Sequence, residues 1–99
     1  MASSPDKINT LGRAVVARQL AAGATSVNTA LTANTSRITM RAVGADIRFE
    51  IGTGSQTATA TSHFIANGER LDFAVPPSAN IAVLRNSTTS GTLELTELG

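Results

Sequence analysis

The chain has one histidine, His63, and it stands next to Ser62. A hydroxyl beside an imidazole is the start of a nucleophilic site. Completing it takes a carboxylate to orient the ring and a serine Oγ within reach of it. Asp72 is the candidate carboxylate, because a turn at Asn67-Gly68 that pairs Ala66 with Glu69 sets His63 against Asp72. Ser62, however, precedes His63 in an extended segment and points to the opposite face. No catalytic residue is therefore assigned, and the chain is expected not to be an enzyme. Metal chemistry fares no better. There is no Cys and only one His, too few for a zinc site. Asp6, Asp46, Asp72, Glu50, Glu69, Glu94 and Glu97 are too scattered for an oxygen-only calcium site. Nothing in their spacing selects a glycosidase-type carboxylate pair either. No metal and no cofactor are expected.

Other local patterns are equally unproductive. Gly52-Thr53-Gly54 does not open a helix and lacks the lysine or third glycine of a phosphate cradle. Asn34-Thr35-Ser36 and Asn86-Ser87-Thr88 match the glycosylation pattern, but the opening residues lack the basic-then-apolar order of a secretion signal, so both read as chance matches. The expectation is a chain made in a cytoplasm. No apolar run approaches the ~18 residues that would span a membrane. The net charge is +1 and aromatics are only 3%, with no Trp or Tyr. A single-strand reader needs a basic groove with stacking aromatics, so neither nucleic acid nor membrane is an expected partner. The absence of Trp and Tyr also argues against a carbohydrate- or receptor-binding module. What remains is a partner surface. Arg37, Arg41 and Arg48 alternate with apolar residues and are read either as a solvated face or as contacts to an acidic partner.

The elements that position these residues are strands. With 99 residues there is room for one domain. Met1 to Leu11 is polar, carries Pro5 and has no periodicity. Residues 1–12 are read as an extended N-terminal arm, with Pro5, Lys7, Ile8 and Leu11 as candidate contacts to a neighbouring subunit, and 13–99 as the domain. Arg13 to Leu20 suits a strand or a helical section by periodicity, and Gly23 prevents a long helix; we read it as a strand. Val27, Thr29 and Leu31 alternate as a second. Ile38, Met40 and Ala42 alternate with Arg37, Thr39 and Arg41, and Ile47, Phe49 and Ile51 with Asp46, Arg48 and Glu50. This predicts a hairpin through a type II′ turn at Gly44-Ala45, with Met40 opposite Phe49 and Arg41 opposite Arg48. Gly52 to Ser62 reads as a flexible low-complexity loop. A second hairpin is predicted at Asn67-Gly68 as a type I′ turn, placing Phe64 opposite Leu71 and on one face with Phe73 and Val75, with at least two of the three Phe in the core. Pro76-Pro77 ends that strand, Ile81 and Val83 continue the alternation, and Thr92 to Leu98 closes the chain, Leu93 and Leu95 inward and Glu94 outward. About seven or eight short strands predict an all-β, compact antiparallel β-sandwich, jelly-roll or immunoglobulin-like. A core this poor in aromatics is expected to gain stability from oligomerisation or docking.

The run Arg41-Ala42-Val43-Gly44-Ala45-Asp46-Ile47-Arg48-Phe49-Glu50-Ile51-Gly52 resembles small virion structural proteins of tailed bacteriophages. There, a G-x-D-[IV]-R-F-x-I-G segment precedes a Thr/Ser/Ala-rich loop. A segment like Leu71 to Pro77 and a G-T-L-x-[IL]-T-E-L ending, as in Gly91 to Leu98, follow. The likeness covers Arg37 to Gly99, with an echo around Gly12 to Leu31. It implies a virion component, most naturally a capsid decoration (cement) protein that binds the outer shell and stabilises it. The implied partners are the major capsid protein and further copies of the chain, as a homotrimer. A neck, tail or fibre-associated subunit is the alternative within the particle.

Overall fold

The structure, a computed structural model, describes residues 14–99; the expected arm lies outside them. The elements are β1 (Ala14–Ala22), β2 (Val27–Ala30), β3 (Arg37–Val43), β4 (Ile47–Thr53), β5 (His63–Ile65), β6 (Arg70–Ala74), β7 (Ala79–Arg85) and β8 (Gly91–Leu98). They form two four-stranded sheets, sheet A in the order β1-β8-β3-β6 and sheet B in the order β2-β7-β4-β5. All ladders between strands are antiparallel. The pairs β1·β8, β2·β7, β3·β6 and β4·β5 are nested, as if one long hairpin had been rolled up. Successive pairs fall alternately in the two sheets. That is the wiring of an eight-stranded jelly roll, and it decides between the two expected sandwich arrangements.

The alternation in the sequence does its work here. Ile38, Met40 and Ala42 on β3 and Ile47 and Phe49 on β4 are all buried, as are Ile65, Ile81, Val83, Leu93 and Leu95. Fully burying one Ile, Leu or Phe stabilises by about 1.5–3 kcal/mol, so these residues carry the fold. The expected pairing, in contrast, is wrong. β3 pairs with β6 and β8, whereas β4 pairs with β5 and β7. The strands flanking Gly44-Ala45 lie in opposite sheets and meet across the core, not edge to edge. Gly44 takes a positive φ of 92°, as a tight reversal requires, but the chain there crosses between layers. Arg41 is accordingly opposite Arg70 and Glu94, not Arg48.

The second expected hairpin is also a crossing. β5 lies in sheet B and β6 in sheet A. The turn itself is present: the Glu69 amide donates to the Ala66 carbonyl at 2.8 Å. Only Gly68 of its two central residues has positive φ, which fits a type II turn and excludes type I′. The two crossings clasp each other. Asn67 Oδ1 accepts from the Gly44 amide at 2.9 Å, the Asn67 amide donates to Asp46 Oδ1 at 2.7 Å, and the Gly68 amide donates to the Ala42 carbonyl at 2.7 Å.

Three further expectations change with this wiring. Ile65 faces the core, so its neighbour Phe64 points outward and is 41% exposed, away from Leu71. Of the three Phe, only Phe49 is fully buried; Phe73 is 38% exposed, though its ring lies 5.7 Å from that of Phe49. The loop after β4, expected to be flexible, is tied down. The Gln56 amide donates to Asn28 Oδ1 at 2.9 Å, the Ala58 amide donates to Ser26 Oγ at 2.8 Å, and Ala58 is buried. This strap joins β4 to β5, the one pair of successive strands that share a sheet.

Candidate interaction surface

The residues singled out for chemistry are dispersed. His63 sits on edge strand β5 opposite Phe49, with its ring 5.4 Å from that of Phe49 and Nε2 4.0 Å from Glu50 Oε1. Asp72 is opposite Thr39 in the other sheet, and the expected His63–Asp72 pairing does not occur. Ser62 is buried, and its Oγ accepts from the Thr59 amide at 2.8 Å. Among the described residues no three His, Cys, Asp or Glu converge as a metal site would require.

The three arginines are divided. Arg48 projects from the outer face of sheet B, and two of its nitrogens are engaged. Nε donates to Asn86 Oδ1 at 2.8 Å, Nη1 donates to the Ser62 carbonyl at 3.0 Å, and the guanidinium lies 4.7 Å from the centre of the Phe64 ring. It holds the strap and covers an exposed Phe; it cannot share a partner surface with the other two. Arg37 and Arg41 alternate with the buried Ile38 and Met40 and so project from the outer face of sheet A. Pro5, Lys7, Ile8 and Leu11 lie outside the described residues.

On the outer face of sheet A, Gln19, Arg41 and Thr96 make no side-chain hydrogen bond or ion pair among the described residues. At the centre of this face is a shallow depression of about 280 Å³ bounded by Gln19, Thr39, Arg41, Arg70, Glu94 and Thr96. Four strands contribute: Gln19 from β1, Glu94 and Thr96 from β8, Thr39 and Arg41 from β3, Arg70 from β6. In register, Gln19 is opposite Glu94, Glu94 opposite Arg41, and Arg41 opposite Arg70. Two like charges directly opposite are unfavourable in an antiparallel ladder. Arg70 Nε donates only a long 3.4 Å bond to Thr39 Oγ1, and among the described residues neither Arg41 nor Arg70 is ion-paired. Arg70 was not among the arginines selected from sequence, because the hairpin register expected there did not place it beside Arg41.

The same sheet holds a feature of a different kind. Glu97, on the inward parity of Leu93 and Leu95, is fully buried. Its Oε2 accepts from Arg18 Nε, and its Oε1 accepts from the Thr32 amide at 2.7 Å and Thr35 Oγ1 at 2.6 Å. Burial, the largest single influence, pushes the carboxyl pKa up. The hydrogen bonds from Thr35, Arg18 and Thr32 together outweigh it, and the group is held below the ordinary glutamate value. Glu97 thereby fastens β8 to β1 and to the segment between β2 and β3. The parity of the last strand was the available signal: Leu93, Leu95 and Glu97 fall on one face.

No protein-family model, no curated protein and no solved structure matches this chain.

Proposed function

We propose that the protein is a structural subunit of a bacteriophage particle, a decoration protein that binds the outer capsid shell and stabilises it. The observation that supports this reading is the rolled-up jelly-roll wiring of two four-stranded sheets, with an open, charge-bearing face on sheet A. The phage-like run Arg41 to Gly52 crosses from the end of β3 into β4 and so spans both sheets, the segment from Leu71 falls in β6, and Gly91 to Leu98 is β8. β3, β6 and β8 build most of the outer face of sheet A with the open, charge-bearing depression. A four-stranded face with only a shallow depression suits a role in which contact area, not a cleft, is what matters. Jelly rolls occur in viral capsid and lectin domains, which supports the reading by analogy of fold alone. The partners under this proposal are the major capsid protein and further copies of the chain, arranged as a trimer, and the location is the virion.

The test is the copy number of this protein relative to the major capsid protein in purified particles. A fixed simple ratio to the capsid subunit is the expected result. A few copies per particle would move the protein to the neck or tail, and its absence from particles would overturn the reading.

A further inference from the structure

We infer that the outer face of sheet A docks an acidic segment of a partner protein, with Arg41 and Arg70 as the groups that receive its carboxylates. The identity of the partner as a capsid component rests on the proposal above; the chemistry of the site does not. Residues directly opposite in an antiparallel pair have Cβ atoms about 4.5–5.5 Å apart, so two guanidinium groups start from neighbouring positions on an exposed surface. Each lacks an ion-pair partner among the described residues. A carboxylate placed between them offsets one repulsion with two attractions, and the planar fork of arginine matches a carboxylate bidentately.

The surroundings narrow the class of ligand. Gln19 and Thr96 border the depression with side-chain polar atoms that make no hydrogen bond within the described residues, so they remain available to a peptide. Glu94 is opposite Arg41 on its other side, and Asp72 follows two residues after Arg70 on the same face. A polyanion with evenly spaced charges would meet both of these carboxylates. A short segment with one or two acidic side chains would not. The site therefore favours a protein side chain over a nucleic-acid backbone.

The experiment is an NMR titration of the full chain at low salt, following the arginine Nε–Hε resonances. The probe is a blocked Glu-Glu dipeptide, with inorganic phosphate and an oligothymidylate as comparisons. Saturable shifts at Arg41 and Arg70 are expected, with affinity reduced at least fivefold by Arg41→Gln or Arg70→Gln. Arg41→Lys, which keeps the charge and loses the fork, should weaken binding less, and it serves if Arg41→Gln does not fold. Non-saturating shifts, unchanged affinity in the variants, or tighter binding of phosphate or oligonucleotide would overturn the inference. A failed titration with a fixed copy number in particles refutes the site alone. A successful titration with the protein absent from particles refutes only the virion reading.

Discussion

Replacing Glu97 with Gln isolates one charge in the most buried polar network among the described residues. The wild-type carboxylate receives three donors, from Arg18, Thr32 and Thr35. A glutamine keeps an oxygen for Thr32 and Thr35 but presents its NH₂ to the Arg18 Nε–H, donor against donor. A hydrogen bond to a charged group contributes about 1.5–3 kcal/mol. Arg18 retains 28% of its side-chain exposure and can turn towards water, which removes part of the penalty. The expected cost is about 2–3 kcal/mol at neutral pH, or roughly 10–20 °C in Tm for a domain of this size. Glu97→Ala also leaves the buried Thr35 hydroxyl without its acceptor and should cost more, about 3–5 kcal/mol. The pH dependence follows from the lowered pKa of Glu97. Its folded-state value lies below the unfolded one, so the stabilisation is fully present above the unfolded glutamate range. It is lost as the pH falls through the folded-state value. The gap between wild type and Glu97→Gln must therefore narrow on acidification. Urea unfolding followed by far-UV circular dichroism, across neutral to acid pH, reads both quantities; with no Trp or Tyr, intrinsic fluorescence gives little signal. A difference below about 0.5 kcal/mol at pH 7, where only ordinary surface substitutions fall, would refute this account of the network. So would a gap that is constant with pH.

Two contrasts test the packing by the same denaturation assay. Phe49→Ala removes the largest fully buried side chain and should cost about 3–5 kcal/mol, whereas Phe64→Ala loses only a half-exposed ring under Arg48 and should cost about 1 kcal/mol or less. Equal effects would mean that the two rings have been assigned to the wrong faces. Gly91→Ala would place a Cβ 3.0 Å from the Ala45 amide and the Val43 carbonyl, backbone atoms that cannot swing aside, and should destabilise by about 1–3 kcal/mol. Gly23→Ala, with nothing within 4 Å, should be nearly neutral. If Gly91→Ala proves neutral, the close approach of β8 to the β3–β4 crossing is not as described.

The sequence alone determined most of the strands and, on β3, β4 and β8, which side is apolar; on β5 it chose Phe64 where Ile65 is buried, and for β1 periodicity left strand and helix open. The alternation of Ile38, Met40 and Ala42, and of Ile47 and Phe49, places all five in the core, where they lie. It also put Glu97 on the same parity as Leu93 and Leu95, a readable sign of a carboxylate that must be satisfied indoors. Period two, however, names a face and not a neighbour. Met40 and Phe49 point at one interior whether their strands lie side by side or in opposing sheets, and a glycine with positive φ can serve either connection. Only the rolled-up pairing chose between them, because pairing β3 with β6 and β8 lets both sheets close over a single core. That choice also made the surface. It sent Arg48 to the far side, brought Arg70 beside Arg41, and placed Glu94 at their edge. The side chains at the candidate interface were visible one by one in the sequence. Their juxtaposition depends on which strands are hydrogen-bonded neighbours, and that is settled by long-range packing.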